Sequence, residues 1–141
     1  MIARINVVTL GVTDMPRSRK FYEQLGWVAS SSSNEHFTVF RPQGCALALY
    51  PMTLLAEDAT VKPEGHGFRG VALAQNVPTK GDVKMALDAA VAAGGTVKKP
   101  AQDVFWGGHS GYFADPDGHL WEVAWNPHWR LTPDGMLEIP V

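Results

Sequence analysis

Five histidines (His36, His66, His109, His119 and His128) stand among fourteen carboxylates in a chain of 141 residues. Imidazole and carboxylate are the usual donors of zinc, nickel and iron sites, so the composition permits a metal centre. Glu122 offers a second kind of chemistry. Its neighbours in Leu120–Trp125 are apolar, and burial among them raises a carboxyl pKa towards the range of a general acid or base. The same charge can instead hold a cationic or hydrogen-bond-donating ligand, with Trp106, Tyr112, Trp125 and Tyr50 supplying stacking or cation–π surface. A salt bridge to Arg4, Arg41 or Arg69 is the purely structural use of that charge. Asp115 and Asp117 look like a catalytic pair, but their Asp-Pro-Asp-Gly setting makes them turn formers whose side chains bond local backbone. The glycine pairs at 94–95 and 107–108 precede no helix at phosphate-loop spacing, so nucleotide binding has no support.

Composition removes several functions. Fourteen acidic and twelve basic residues leave a net charge of −2, without the basic excess that nucleic-acid binding usually needs. With 18% charged residues and a mean hydropathy of −0.09, the chain is neither a disordered polyelectrolyte nor a membrane protein. The single cysteine, Cys45, allows no intrachain disulfide and fits a reducing compartment. The first residues carry no charged n-region ahead of a long apolar stretch, so a cytoplasmic location is expected.

The elements that must position these side chains follow from apolar period and turn chemistry. The run 5–12 reads as a buried strand. Asp14 stands as an N-cap, Pro16 in a first turn and Gly26 past the end of a helix whose apolar face is Met15, Phe21, Tyr22 and Leu25. Strands are expected at 36–41 and 45–50, joined as a hairpin through Pro42-Gln43-Gly44. The stretch 51–67 reads as a connection with one helical turn near Leu54 to Glu57. A second set follows: a strand at 70–75, a helix from Thr79 to Ala93 closed by Gly94-Gly95, and strands at 96–99, 104–107, 111–114 and 120–125. The apolar face of that helix is Val83, Leu87, Ala90 and Val91. Residues 127–141 form an apolar tail with Trp129, Leu131, Met136, Leu137 and Ile139.

The second set repeats the first. Val8-Thr9-Leu10 lies over Val71-Ala72-Leu73, and residues 38–51 lie over 112–125 without a gap, matching Pro42 to Pro116 and Gly44 to Gly118. The expected architecture is α+β: two βαβββ modules, at about 5–51 and 70–126, whose uncovered sheet faces must pack against each other or enclose something. Strand alternation sets Leu10, Leu47, Leu49, Leu73, Trp121 and Val123 under the helices. The opposite faces carry Val7, Thr9, Ala46, Ala48, Tyr50, Gly70, Ala72, Leu120, Glu122 and Ala124. These small side chains leave volume for a ligand, unless Trp106, Phe37 or the tail fills it.

Two strings carry a family resemblance. Leu10-Gly-Val-Thr-Asp-Met-Pro-Arg-Ser-Arg-Lys-Phe-Tyr-Glu-Gln-Leu-Gly-Trp27 resembles the opening of vicinal oxygen chelate proteins. Gly111-Tyr-Phe-Ala-Asp-Pro-Asp-Gly-His-Leu-Trp-Glu-Val123 is similar to their closing strand pair. These are the relatives of glyoxalase I, extradiol dioxygenases and bleomycin or fosfomycin resistance proteins. The resemblance spans about residues 5 to 127. It implies a homodimer and a cupped, partly open mixed β-sheet barrel around a site with two metal ligands per module, and it places those positions at Val7, Ala48, Gly70 and Glu122. Only Glu122 can ligate, whereas divalent transition metals normally take about three protein ligands.

No cofactor is therefore expected, a divalent metal at Glu122 being the lesser alternative. The expected function is metal-independent binding of a small organic ligand, as the resemblance to bleomycin resistance proteins implies. The expected ligand-binding residues are Val7, Thr9, Ala48, Tyr50, Gly70, Trp106, Tyr112 and Glu122. The competing reading is a glyoxalase- or dioxygenase-type lyase, isomerase or oxygenase with Glu122 as base or retained metal ligand. A third is an interaction subunit whose cleft is closed by its own side chains.

Overall fold

The computed structural model describes residues 4–41 and 44–140. They form two compact units that meet between Arg69 and Gly70, each with its own helix packed on its own sheet. The fold is α+β with mixed sheets, as expected.

In the first unit, β1 (Val7–Val12) runs parallel to β3 (Ala46–Pro51), and β3 is antiparallel to β2 (Thr38–Phe40), giving the order β1-β3-β2. Helix α1 (Met15–Gln24) begins where Asp14 accepts the Arg17 N–H at 2.9 Å, with Pro16 in its first turn. It ends just before Gly26, whose φ of +90° suits a residue without a Cβ. Phe21 and Tyr22 are buried in a core that also holds Phe40, Leu47 and Leu49, the Tyr22 and Phe40 ring centres 5.6 Å apart. The βαβββ pattern calls for one more strand than the three placed in this module, and it is reduced to a single bridge, Ala29 to Phe40, flanked by the hydrogen bonds Ser30 N–H to Val39 O and Arg41 N–H to Val28 O. The serine-rich turn after it, closed by Ser33 and Asn34 side chains on local backbone, stops the ladder from extending. Pro42 and Gln43, expected in the hairpin loop, lie outside the described residues.

The connection after β3 is more helical than its sequence suggests. Met52–Asp58 forms α2, longer than the single turn expected. Gly11 makes room for it: a Cβ there would lie 2.6 Å from Met52 Sδ.

In the second unit the sheet order is β4-β7-β6-β5, from β4 (Leu73–Asn76), β5 (Thr96–Asp103), β6 (His109–Ala114) and β7 (Leu120–Trp125). Helix α3 (Lys80–Ala92) starts with a reciprocal capping box between Thr79 and Asp82 and buries Val83, Leu87 and Ala90. Val91, expected on that face, is 50% exposed. Gly111 lies where a Cβ would come within 2.6 Å of Leu87 Cδ1, so helix and sheet meet closely there. The strand expected at 96–99 runs on to Asp103 as β5, and 104–107, expected as a further strand, is the turn that follows it. Pro100 is tolerated because β5 is an edge strand whose register shifts on both sides of Lys99. Gly70, expected to open a strand, lies outside β4 with φ +76°. The tail turns back on itself as a short hairpin, β8 (Arg130–Leu131) with β9 (Leu137–Glu138).

The ladders also correct the repeat. Thr9 faces Ala48 and Ala74 faces Glu122, so the counterpart of Thr9 is Ala74, two residues beyond the expected Ala72. The hairpins differ as well: Thr38 faces Leu49, whereas Tyr112 faces Glu122 and not Val123. Thr38 consequently turns to α1, its hydroxyl 3.6 Å from Met15 Sδ. Tyr112, its counterpart, turns away from α3.

Candidate functional site

Four of the expected ligand residues belong to the first unit, on the sheet face away from α1. Val7 is 51% exposed opposite Ala46, Thr9 is exposed opposite Ala48, and Ala48 is fully buried. Tyr50 stands opposite Gly11 and makes an edge contact with Phe37 at 6.2 Å between ring centres. None of these four offers a charge.

The second unit gathers Trp106, Tyr112 and Glu122 into one open groove of about 340 Å³ on the face of its sheet away from α3. Lys99, Asp103, Phe105 and Ser110 complete much of its lining. Each position has a local cause. Alternation along β7 sends Trp121 and Val123 into the core and leaves Glu122 half-buried on the open face. Across the ladder, Tyr112 directly opposes it, so phenol and carboxylate share the open face. Burial first, and then the neighbouring negative charge of Glu122, raise the Tyr112 pKa above its ordinary value. Tyr112 is therefore a neutral phenol around neutral pH, beside a carboxylate.

Lys99 reaches the same face from β5, its ammonium 5.8 Å from the Tyr112 ring centre. The surroundings of Glu122 in this unit are thus more polar than the small, apolar face expected. Trp125 alternates to the other side of β7, where Lys80 stands over its ring at 5.4 Å. It does not line the groove with Glu122. Gly70 is likewise outside the groove lining.

Trp106 comes from the turn between β5 and β6, closed by Val104 N–H to Gly108 O at 3.1 Å and Gly107 N–H to Val104 O at 3.0 Å. Its ring lies directly over Gly108, lining the groove without filling it. At the groove's other edge, Asp103 Oδ1 accepts from Lys80 Nζ and faces His109 Nδ1, each at 2.8 Å. The hydrogen bond from Lys80, then that with His109, hold the Asp103 carboxyl below its usual range. Alternation does not single out Lys99, Asp103 or Phe105: the register shifts on both sides of Lys99 break the pattern, β5 continues past Pro100 to Asp103, and Phe105 lies in the turn beyond it. A proline at a bulge of an edge strand is compatible with that continuation.

The histidines disperse. His36 is beside Glu35, His109 beside Asp103, His119 beside Asp115, and His128 reaches the Trp106 carbonyl. His66 lies in the exposed segment before Gly70. Asp115 accepts from the backbone N–H groups of Asp117 and His119, in keeping with a turn former. Among the described residues, no three His, Cys, Asp or Glu side chains gather as a metal-binding group. A divalent metal at the positions implied by the resemblance does not fit this donor set. Val7, Ala48 and Gly70 have no donor side chain, which leaves Glu122 as the one donor of the four. No helix among the described residues is long and apolar enough to cross a membrane.

The family model described as the Glyoxalase/Bleomycin resistance protein/Dioxygenase superfamily matches residues 4–123. A solved structure of a glyoxalase-related enzyme from Fulvimarina pelagi is 35% identical, covers 99% of this chain and 100% of its own, and superposes with a TM-score of 0.90. A glyoxalase/bleomycin resistance protein/dioxygenase from Nocardioides is 27% identical over 90% of this chain and 87% of its own, with a TM-score of 0.72. A lactoylglutathione lyase from Agrobacterium tumefaciens, 19% identical over 89% of this chain and 96% of its own, shares the fold with a TM-score of 0.67. No curated protein matches the chain.

Proposed function

The chain belongs to the glyoxalase/bleomycin resistance protein/dioxygenase superfamily, and from that premise we propose that it binds a small organic molecule without a metal, in the groove on β5–β7. The observation that carries this reading is the Tyr112–Glu122 pair beside the Trp106 ring. The Glu122 carboxylate, beside Tyr112, has acceptor capacity for a ligand N–H, and the indole supplies a flat apolar wall. Lys99 sits over Tyr112 and counters part of the negative charge. A planar aromatic cation with forked N–H donors suits this arrangement best, because charge-assisted bonds to a carboxylate are about twice as strong as neutral ones. Assembly as a homodimer, implied by the family resemblance, belongs to the same proposal.

Benzamidinium is a suitable probe, with neutral benzamide and anionic benzoate as controls. A ligand bound only by the folded state raises Tm. Benzamidinium should raise Tm in the wild type and lose that effect in Glu122→Gln, while the two controls act weakly in both. Stoichiometric binding of Zn²⁺, Ni²⁺ or Mn²⁺ that disappears in Glu122→Gln would replace this reading with a metal-dependent enzyme of the glyoxalase or dioxygenase type.

A further inference from the structure

We infer that His128 is a positioning residue for Trp106: the tail latches the turn that presents the indole to the groove. The inference rests on the groove being the ligand site. The turn needs such a latch, because its tip has little beneath it. Phe105, next to Trp106, is 100% exposed, and among the described residues the backbone bonds closing the turn are those between Val104, Gly107 and Gly108. Such a tip has few buried contacts to fix its orientation, and backbone of this kind opens easily.

His128 supplies a contact from 22 residues away in the chain, its Nε2 lying 3.2 Å from the Trp106 carbonyl oxygen. A carbonyl only accepts, so Nε2 carries the hydrogen, and both the Nε2–H tautomer and the imidazolium can donate it. The imidazole is itself placed: the His128 backbone N–H donates to Asn126 Oδ1 at 2.9 Å, directly after β7. The ring also covers the turn. A Cβ at Gly107 would meet His128 Nε2 at 3.6 Å, and the φ of +91° at Gly107 already favours glycine. On the other side of the turn, the Trp106 ring occupies the space where a Gly108 side chain would be. The indole is thus held between its carbonyl, tied to the tail, and its ring, seated on Gly108. Rotation of the Trp106 peptide would break the first and unseat the second.

Protein labelled with 5-fluorotryptophan tests this by ¹⁹F NMR, the Trp106 resonance being assigned with Trp106→Phe. His128→Ala should shift and broaden that resonance and weaken benzamidinium binding about fivefold, as expected for losing one net hydrogen bond. His128→Gln, whose carboxamide N–H can still donate, should restore both. A Trp106 resonance in His128→Ala that superposes on the wild type overturns the latch, as does a failure of glutamine to restore it. If the wild type binds no benzamidinium while the Trp106 resonance still moves in His128→Ala and recovers in His128→Gln, the latch stands and the ligand reading falls.

Discussion

Tyr112 and Glu122 face each other across the β6–β7 ladder, phenol beside carboxylate on the open face of the sheet. This juxtaposition makes Tyr112 a weaker acid than an ordinary tyrosine. Burial is the largest cause of the raised pKa, followed by the Glu122 charge. Glu122→Gln removes the charge but not the burial. The Tyr112 pKa should therefore fall part of the way back towards 10.0, its ordinary value. NMR of ¹³Cζ-labelled tyrosine distinguishes it from Tyr22 and Tyr50. An unchanged titration in Glu122→Gln would mean that the carboxylate does not act on the phenol. The sign for stability follows: the wild type loses this contribution only as pH rises from 10.0 through the higher folded pKa.

His119 and Asp115 form a second coupled pair, at the β6–β7 turn. Asp115 Oδ2 lies 2.8 Å from His119 Nδ1, and the Asp115 side chain is fully buried. Burial alone pulls the His119 pKa down. The hydrogen bond to Asp115, with the charges of Asp115 and Asp117, outweighs it and leaves the pKa above 6.5. A histidine with a raised folded pKa contributes stability that is fully present below its unfolded value and lost as pH rises through the folded one. As pH rises from 6.5 through the higher folded pKa, Tm should therefore decline more steeply in the wild type than in His119→Gln, which keeps a neutral donor but cannot titrate. Parallel Tm profiles for the two proteins would exclude His119 as the linked group.

Much of this was legible in the sequence because capping and turn chemistry are local. Asp14, Pro16 and Gly26 delimit α1, Thr79 starts α3, and the Asp115–Gly118 turn forms as its residues dictate. Trp106, Tyr112 and Glu122 were identifiable as possible ligand residues from alternation and hairpin position. What was not legible depends on register. Laying 38–51 over 112–125 without a gap gives Thr38 and Tyr112 the same direction, yet the ladders differ by one residue and the two side chains point to opposite faces. Lys99 was hidden for a related reason: the shifts on either side of it turn its ammonium over Tyr112, and no alternating pattern survives through Pro100. Gly70 failed because its positive φ belongs to the connection before β4 and not to the strand.

Gly108 and Trp106 provide a test of how firmly the groove wall is built. A Cβ on Gly108 would stand 1.7 Å from Trp106 Cζ3 and 2.1 Å from Cη2, far inside van der Waals contact. In Gly108→Ala either the indole leaves its seat or the turn distorts, and overpacking of this kind costs about 1–3 kcal/mol. Trp106→Ala clears the space, so adding Gly108→Ala to that variant should change stability by less than about 0.5 kcal/mol. Urea unfolding of the wild type, both single variants and the double variant gives the coupling directly. A coupling near zero would mean that Gly108 tolerates a side chain with the indole in place, and that Trp106 is not seated on the glycine in solution. A large coupling ties the identity of residue 108 to the placement of the aromatic wall, since the alanine is then costly only when the indole is present.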